Sequence, residues 1–169
     1  ELGLIVALGD WVFRTVCEQQ VRWSAAGIRD VTIAVNLSTR QFMSRKLVPA
    51  VMQTLKETGA DPRRIEIEVT EIMLMRNLEQ SLERLAELRA LGLQIAVDDF
   101  GSGYSSLTQL SRVAASSMKI DRSFLNNVPE DSNSTALIEA IIVMAKRLRL
   151  RVVAKGVEKG AQLRFLREN

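Results

Sequence analysis

The stretch Leu93-Gln94-Ile95-Ala96-Val97-Asp98-Asp99-Phe100-Gly101-Ser102-Gly103-Tyr104-Ser105-Ser106-Leu107 decides how the rest of the chain is read. Residues 93–97 are apolar enough for a buried strand, and two adjacent carboxylates end that run before a glycine loop. Like charges side by side at a buried strand end repel each other and lose hydration, so something must compensate them, most simply a bound cation. The segment points to metal chemistry.

Outward from this stretch, helix-period and strand-like segments alternate. Residues Leu4–Ala25 have a helical pattern, with Leu4, Ala7, Leu8, Trp11, Val12, Thr15 and Val16 expected on the apolar face and Gly27 as the stop. Residues 31–36 form a β-branched strand, and Ser38 or Thr39 caps a helix expected to run to about Thr58. Residues 64–69 alternate, placing Ile65, Ile67 and Val69 on one face and Glu66 and Glu68 on the other. A helix over 77–91, with Leu78, Leu82, Leu85 and Leu88 at helical spacing, ends at Gly92. Beyond the glycine loop come a short helix near 105–112, a strand over 117–121, a helix over 131–149, a strand over 151–155 and a helix from Gly160. Five strands, each followed by a helix, require a parallel sheet, because short right-handed crossovers allow little else. Two closures remain open at this point, a (β/α)₈ barrel and an open doubly wound sheet. No G-x-G-x-x-G follows a strand, which counts against a dinucleotide fold. A complete barrel takes ~250 residues, so on the barrel reading this chain is incomplete, one domain of about five βα units over residues 1–169.

Composition narrows the chemistry. The 169 residues are 47% hydrophobic and 25% charged, as in an ordinary globular domain. Histidine is absent, which excludes His-ligated zinc, Ser-His-Asp triads and imidazole acid–base work, leaving carboxylates, lysines and hard metal ions. The single cysteine, Cys17, allows no internal disulfide and fits a reducing compartment, the cytoplasm. No apolar stretch is long enough to span a bilayer, since residues 136–145 are interrupted by Glu139. The net charge is only +3, and the basic residues near the end have few aromatics among them, so they read as a solvated helix face rather than a surface for a nucleic acid polymer. The first residue is Glu1, not Met, so the chain reads as a piece of a longer product.

Polar groups gather at the carboxyl ends of the five expected strands: Asn36; Glu68 with Glu71; Asp98-Asp99; Lys119 with Asp121; and Lys155 with Glu158. In barrels that rim carries the chemistry. The oxygen donors Asn36, Glu68, Asp98 and Asp99 suit magnesium or manganese rather than zinc or copper. A carboxylate able to bridge two ions is the arrangement used for in-line phosphodiester displacement, with Lys119 stabilising phosphate charge. Taken singly, Asn36 also reads as a turn residue, Glu68 as an exposed strand residue and Lys119 as a salt-bridge partner. Their convergence on one rim strengthens the set.

Five segments carry a resemblance: Val35-Asn36-Leu37-Ser38, Glu66-Ile67-Glu68-Val69-Thr70-Glu71, residues 98–107, Lys119-Ile120-Asp121-Arg122-Ser123-Phe124 and Gly156-Val157-Glu158. In order and spacing the chain resembles the EAL-domain family of bacterial cyclic-di-GMP phosphodiesterases. The resemblance implies a TIM-like barrel that linearises cyclic-di-GMP to pGpG with two magnesium or manganese ions. It implies Asn36, Glu68 and Asp98 as first-metal ligands, Asp98 bridging, Asp99 on the second metal and Lys119 on the attacking water or phosphate. Glu71 would anchor the loop after Asp99, with Asp121 and Glu158 close to the substrate. Ser102 stands where relatives usually carry Thr. Relatives often pair through the region after the glycine loop, so a homodimer is implied, with flanking sensory or cyclase domains as further partners.

Three departures shape the functional expectation. The namesake Glu-Ala-Leu strand, whose Glu is a metal ligand, is expected upstream of Glu1, and the closing strands with their Gln-Gly-Tyr segment after Asn169. The third is internal: Lys155 stands where relatives carry a Glu that helps hold the second metal and is a candidate base for the water. Opposite unit charges ~4 Å apart are worth about 4 kcal/mol at an effective dielectric near 20, so Lys155 can pair with Asp98 or Asp99 in the second-metal space. The expectation is an impaired phosphodiesterase with one metal ion or none, or a catalytically silent cyclic-di-GMP receptor or interaction module. In the blander alternative, Lys155 points away and pairs with Glu158.

Overall fold

The computed structural model describes residues 3–101 and 107–169. Among them, strands β1 (Ile33–Asn36), β2 (Ile65–Thr70), β3 (Gln94–Phe100), β4 (Ser117–Ile120) and β5 (Arg151–Ala154) form a parallel sheet in chain order. The helices are α1 (Leu4–Ala25), α2 (Thr39–Phe42), α3 (Leu47–Thr58), α4 (Glu71–Met75), α5 (Leu78–Ala90), α6 (Leu107–Leu110), α7 (Ser132–Arg147) and α8 (Gly160–Glu168). Each expected strand is thus present and followed by helix. Two compact units are distinguished: Glu1–Val69 with Met73–Ala96, and Thr70–Ile72 with Val97–Asn169. No helix among the described residues is long and apolar enough to cross a membrane.

In the first unit β1 and β2 pair in parallel, with Val35 opposite Ile67 and Asn36 opposite Glu68. The alternation in β2 does not produce an exposed face: Glu66 and Glu68 are buried, nearly as deeply as the isoleucines around them. A parallel strand inside a sheet is covered on both sides, so its carboxylates must be satisfied internally. Two further expectations are corrected here. The face of α1 carrying Leu4, Leu8 and Trp11 is exposed, and Phe13, Cys17 and Gln20 point inward. Both faces of α1 carry apolar residues, so periodicity alone did not choose between them. Burial pushes the Cys17 thiol up to about 11. The expected helix over 38–58 is divided in two. Ser38 caps α2 with Gln41 completing a capping box, and α3 begins at Leu47. Pro49 lacks the N–H that an unbroken helix would need there, and it is tolerated because it lies in the first turn of α3.

In the second unit β4 and β5 pair in parallel, with Lys119 opposite Val153 and Ile120 opposite Ala154. Ile138, Ile141, Ile142 and Ala145 form the buried stripe of α7, whose N-terminus is capped by Asp131. The strand β3 extends beyond Val97 through Asp98, Asp99 and Phe100, so the acidic pair lies inside the strand rather than past its end. A 3₁₀ turn at Arg122–Leu125, unforeseen from the sequence, follows β4.

Candidate active site

At the β1–β2 strand end, Asn36 is the last residue of β1 and exposed, while its register partner Glu68 is buried. The Leu37 N–H donates to the Glu68 carbonyl at 3.0 Å, so the ladder continues one residue past Asn36. The following turn is locked by Gln41. Its Oε1 accepts from the Ser38 N–H at 3.2 Å and the Ser38 hydroxyl at 2.8 Å, and the Ser38 hydroxyl accepts from the Gln41 N–H at 3.2 Å. Gly9 of α1 makes room for this side chain, since a Cβ there would lie 1.7 Å from Gln41 Nε2. Arg84 of α5 donates to the Phe42 carbonyl and places its guanidinium 5.7 Å from the Phe42 ring centroid. Gln41, Gly9 and Arg84 were not singled out from sequence. Only the Ser38-Thr39-Arg40-Gln41 capping box was legible there.

At the other strand end the acidic pair meets a lysine. Successive side chains of a strand normally point to opposite faces. Asp99 breaks that rule with φ of 50°, a left-handed conformation that aspartate tolerates better than most residues, and both carboxylates reach one cation. The Lys155 Nζ donates to Asp98 at 3.0 and 3.2 Å and to Asp99 Oδ1 at 2.7 Å. The ion pairing that the charge inversion allows is therefore formed, and the alternative pairing with Glu158 is not adopted. Hydrogen bonding to Asp99, then to Asp98, holds this ammonium above the usual lysine range against the opposing effect of its partial burial.

The backbone fixes Lys155 from both sides. Its N–H donates to the Ile120 carbonyl at 3.1 Å, extending the β4–β5 ladder. Gly156 then turns sharply with φ of 75°, where a Cβ would lie 2.6 Å from Arg122 Cβ. Following the acidic pair, Gly101 (φ of 92°) donates its N–H to the buried Glu71 carboxylate at 2.7 Å, and a Cβ there would lie 2.3 Å from the Phe124 ring. Residues 102–106 of the glycine loop, Ser102 included, lie outside the described residues.

The remaining expected residues divide by role. Lys119 is half-buried on β4, on the sheet face that Val153 and, two residues on, Lys155 share. Asp121 accepts from the Ser123 N–H at 2.9 Å and caps the 3₁₀ turn, and these contacts with Ser123, followed by Lys155, hold its carboxyl below the usual range. Its first task is thus a local cap. Glu158 is exposed, and its backbone N–H donates to Gln162 Oε1 at 2.9 Å. A groove of about 540 Å³ among α7, β5 and α8 includes Ile142, Leu150 and Leu163 in its lining and none of these candidate residues.

A divalent ion does not fit the Asp98–Asp99 pair as it stands. Magnesium ligation needs oxygens at ~2.0–2.1 Å, and the oxygens that would supply it already surround an ammonium. Among the described residues no group of three or more Cys, Asp or Glu side chains is placed to hold a metal ion.

Parallel strand–helix alternation with acidic groups at the carboxyl ends of the strands defines the class: an α/β domain of the TIM-barrel type. The chain belongs to the EAL family, whose domain pattern matches residues 1–169. It is 44% identical over 164 residues to the bifunctional diguanylate cyclase/cyclic di-GMP phosphodiesterase MucR of Pseudomonas aeruginosa, covering 97% of this chain and 24% of that protein. The solved PaMucR phosphodiesterase in complex with c-di-GMP superposes with a TM-score of 0.94 at 44% identity, covering 99% of this chain and 68% of that one. Klebsiella pneumoniae BlrP1, solved with manganese and cy-diGMP, superposes with a TM-score of 0.81 at 25% identity, covering 96% of this chain and 40% of that one. The chain spans about a quarter of the length of MucR.

Proposed function

We propose that this chain is part of a cyclic-di-GMP-binding EAL domain whose hydrolysis of the dinucleotide to linear pGpG is slowed or abolished by Lys155. The observation that carries this reading is the Lys155 ammonium seated between Asp98 and Asp99. Asn36, Glu68, Asp98, Asp99 and Lys119 are the residues proposed to face substrate or metal, and Glu71 to hold the main chain after the acidic pair through Gly101. The family resemblance implies two magnesium or manganese ions, and the proposal for this chain is one or none. The MucR and PaMucR likenesses support the choice of dinucleotide. We extend the reading to a cytoplasmic location, a homodimer and flanking sensory or cyclase domains in the natural protein. The test is manganese-dependent hydrolysis of cyclic-di-GMP by the full-length protein and by its Lys155→Glu variant. The expected outcome is little turnover by the lysine form and at least tenfold more by the variant. Robust turnover by the lysine form overturns the impairment, and failure of both to bind labelled dinucleotide points to an interaction module.

A further inference from the structure

The acidic pair of β3 already has a cation, supplied by the chain itself. Three carboxylate oxygens lie 2.7 to 3.2 Å from Lys155 Nζ, which carries three N–H donors. The ammonium is seated by these hydrogen bonds, and the backbone that carries it is pinned to Ile120 on one side and turned by Gly156 on the other. Asp98 and Asp99 converge through the left-handed backbone at Asp99. A second cation ligated by the same oxygens would be forced against the ammonium, and like charges at such a separation repel strongly in a half-buried setting.

The charge of the surroundings points the same way. Lys155 offsets one of the carboxylate charges at this strand end, and glutamate at position 155 would make the end two charges more negative. A cyclic dinucleotide brings two phosphodiester anions. The more negative such a mouth is, the more it needs divalent ions before it can accept that ligand, and the Lys155 ammonium lessens the need.

We infer that Lys155 is the resident cation of the Asp98–Asp99 pair, so that this pair takes no exchangeable divalent ion and the dinucleotide is held without one. The inference deepens the proposed function and rests on its choice of ligand, but its metal half stands independently. Lys155 acts here by occupying a cation's place; it moves no proton.

The test uses the full-length protein with two readouts. Manganese stoichiometry is measured by electron paramagnetic resonance without nucleotide, and affinity for fluorescent cyclic-di-GMP is measured in EDTA and in excess magnesium or manganese. The wild type should change its affinity less than threefold between EDTA and metal. Lys155→Glu should bind one more manganese ion than wild type, lose at least tenfold in affinity in EDTA and recover it with metal. Lys155→Gln removes the charge without adding a carboxylate, and should also lose affinity in EDTA, so the test survives if the glutamate variant does not fold. Equal manganese stoichiometry in wild type and Lys155→Glu, or strictly metal-dependent nucleotide binding by wild type, overturns the inference. Absence of dinucleotide binding under every condition overturns the proposed function instead, while the manganese count still decides the metal half.

Discussion

The β1–β2 strand end and the β3–β5 strand end are built from similar polar side chains but are held by different forces. At the first, a neutral amide does the holding: Gln41 closes the turn after Asn36 through Ser38, in space that Gly9 leaves open. At the second, charge and main-chain geometry do it, through Lys155 between two aspartates and the Glu71 carboxylate on the Gly101 N–H. Neutral locking leaves Asn36 exposed and able to meet a ligand. Ionic locking instead engages both aspartates of the pair with the Lys155 ammonium.

The comparison can be broken most sharply at Gly101. Alanine there adopts an unfavourable positive φ and drives its Cβ toward the Phe124 ring, so Gly101→Ala should cost about 2–4 kcal/mol in chemical denaturation. A cost as small as that of an exposed substitution would show that this strand end is not set by its main chain. At the neutral end, Gln41→Ala leaves the Ser38 N–H without its side-chain acceptor and should cost about 1–2 kcal/mol. Its effect should be insensitive to salt, whereas ionic locking at the other end should weaken as salt rises. The smallest expected effect lies just before β2, where Asp61 caps a separate 3₁₀ turn at Pro62–Arg64 and its carboxyl is held below the usual range, chiefly by Arg63. A depressed carboxylate stabilises the fold above its ordinary value of about 3.9, and that contribution is lost as pH falls through the lower native value. Arg63 is largely exposed, so the difference between wild type and Asp61→Asn should be about 0.5 kcal/mol at pH 7 and vanish near pH 2 in thermal unfolding.

Much of the fold was legible because strand and helix periods alternate without interruption from Leu4 onward. The helix Leu4–Ala25, the strand starting at Arg151 and the helix expected over 131–149 were readable from periodicity. What was not legible depends on the third dimension. The buried face of α1 could not be chosen from a helix apolar on both sides, and the burial of Glu66 and Glu68 follows from coverage of both sheet faces. At the candidate site, residue types alone marked Asp98, Asp99 and Lys155. That both aspartates turn to one ammonium could not be read, because it depends on the backbone angle of Asp99. The space required at Gly9 and Gly101 is likewise visible only once Gln41 and Phe124 have been placed.

The left-handed backbone at Asp99 has an evolutionary corollary. It brings two acidic groups together through the main chain, so their convergence does not depend on which positive partner fills the gap. Exchanging an ammonium for a coordinated ion, or the reverse, then requires no refolding, only a different side chain at position 155. Lysine and glutamate codons differ in their first base alone, so a single transition exchanges an ammonium for a carboxylate beside the acidic pair.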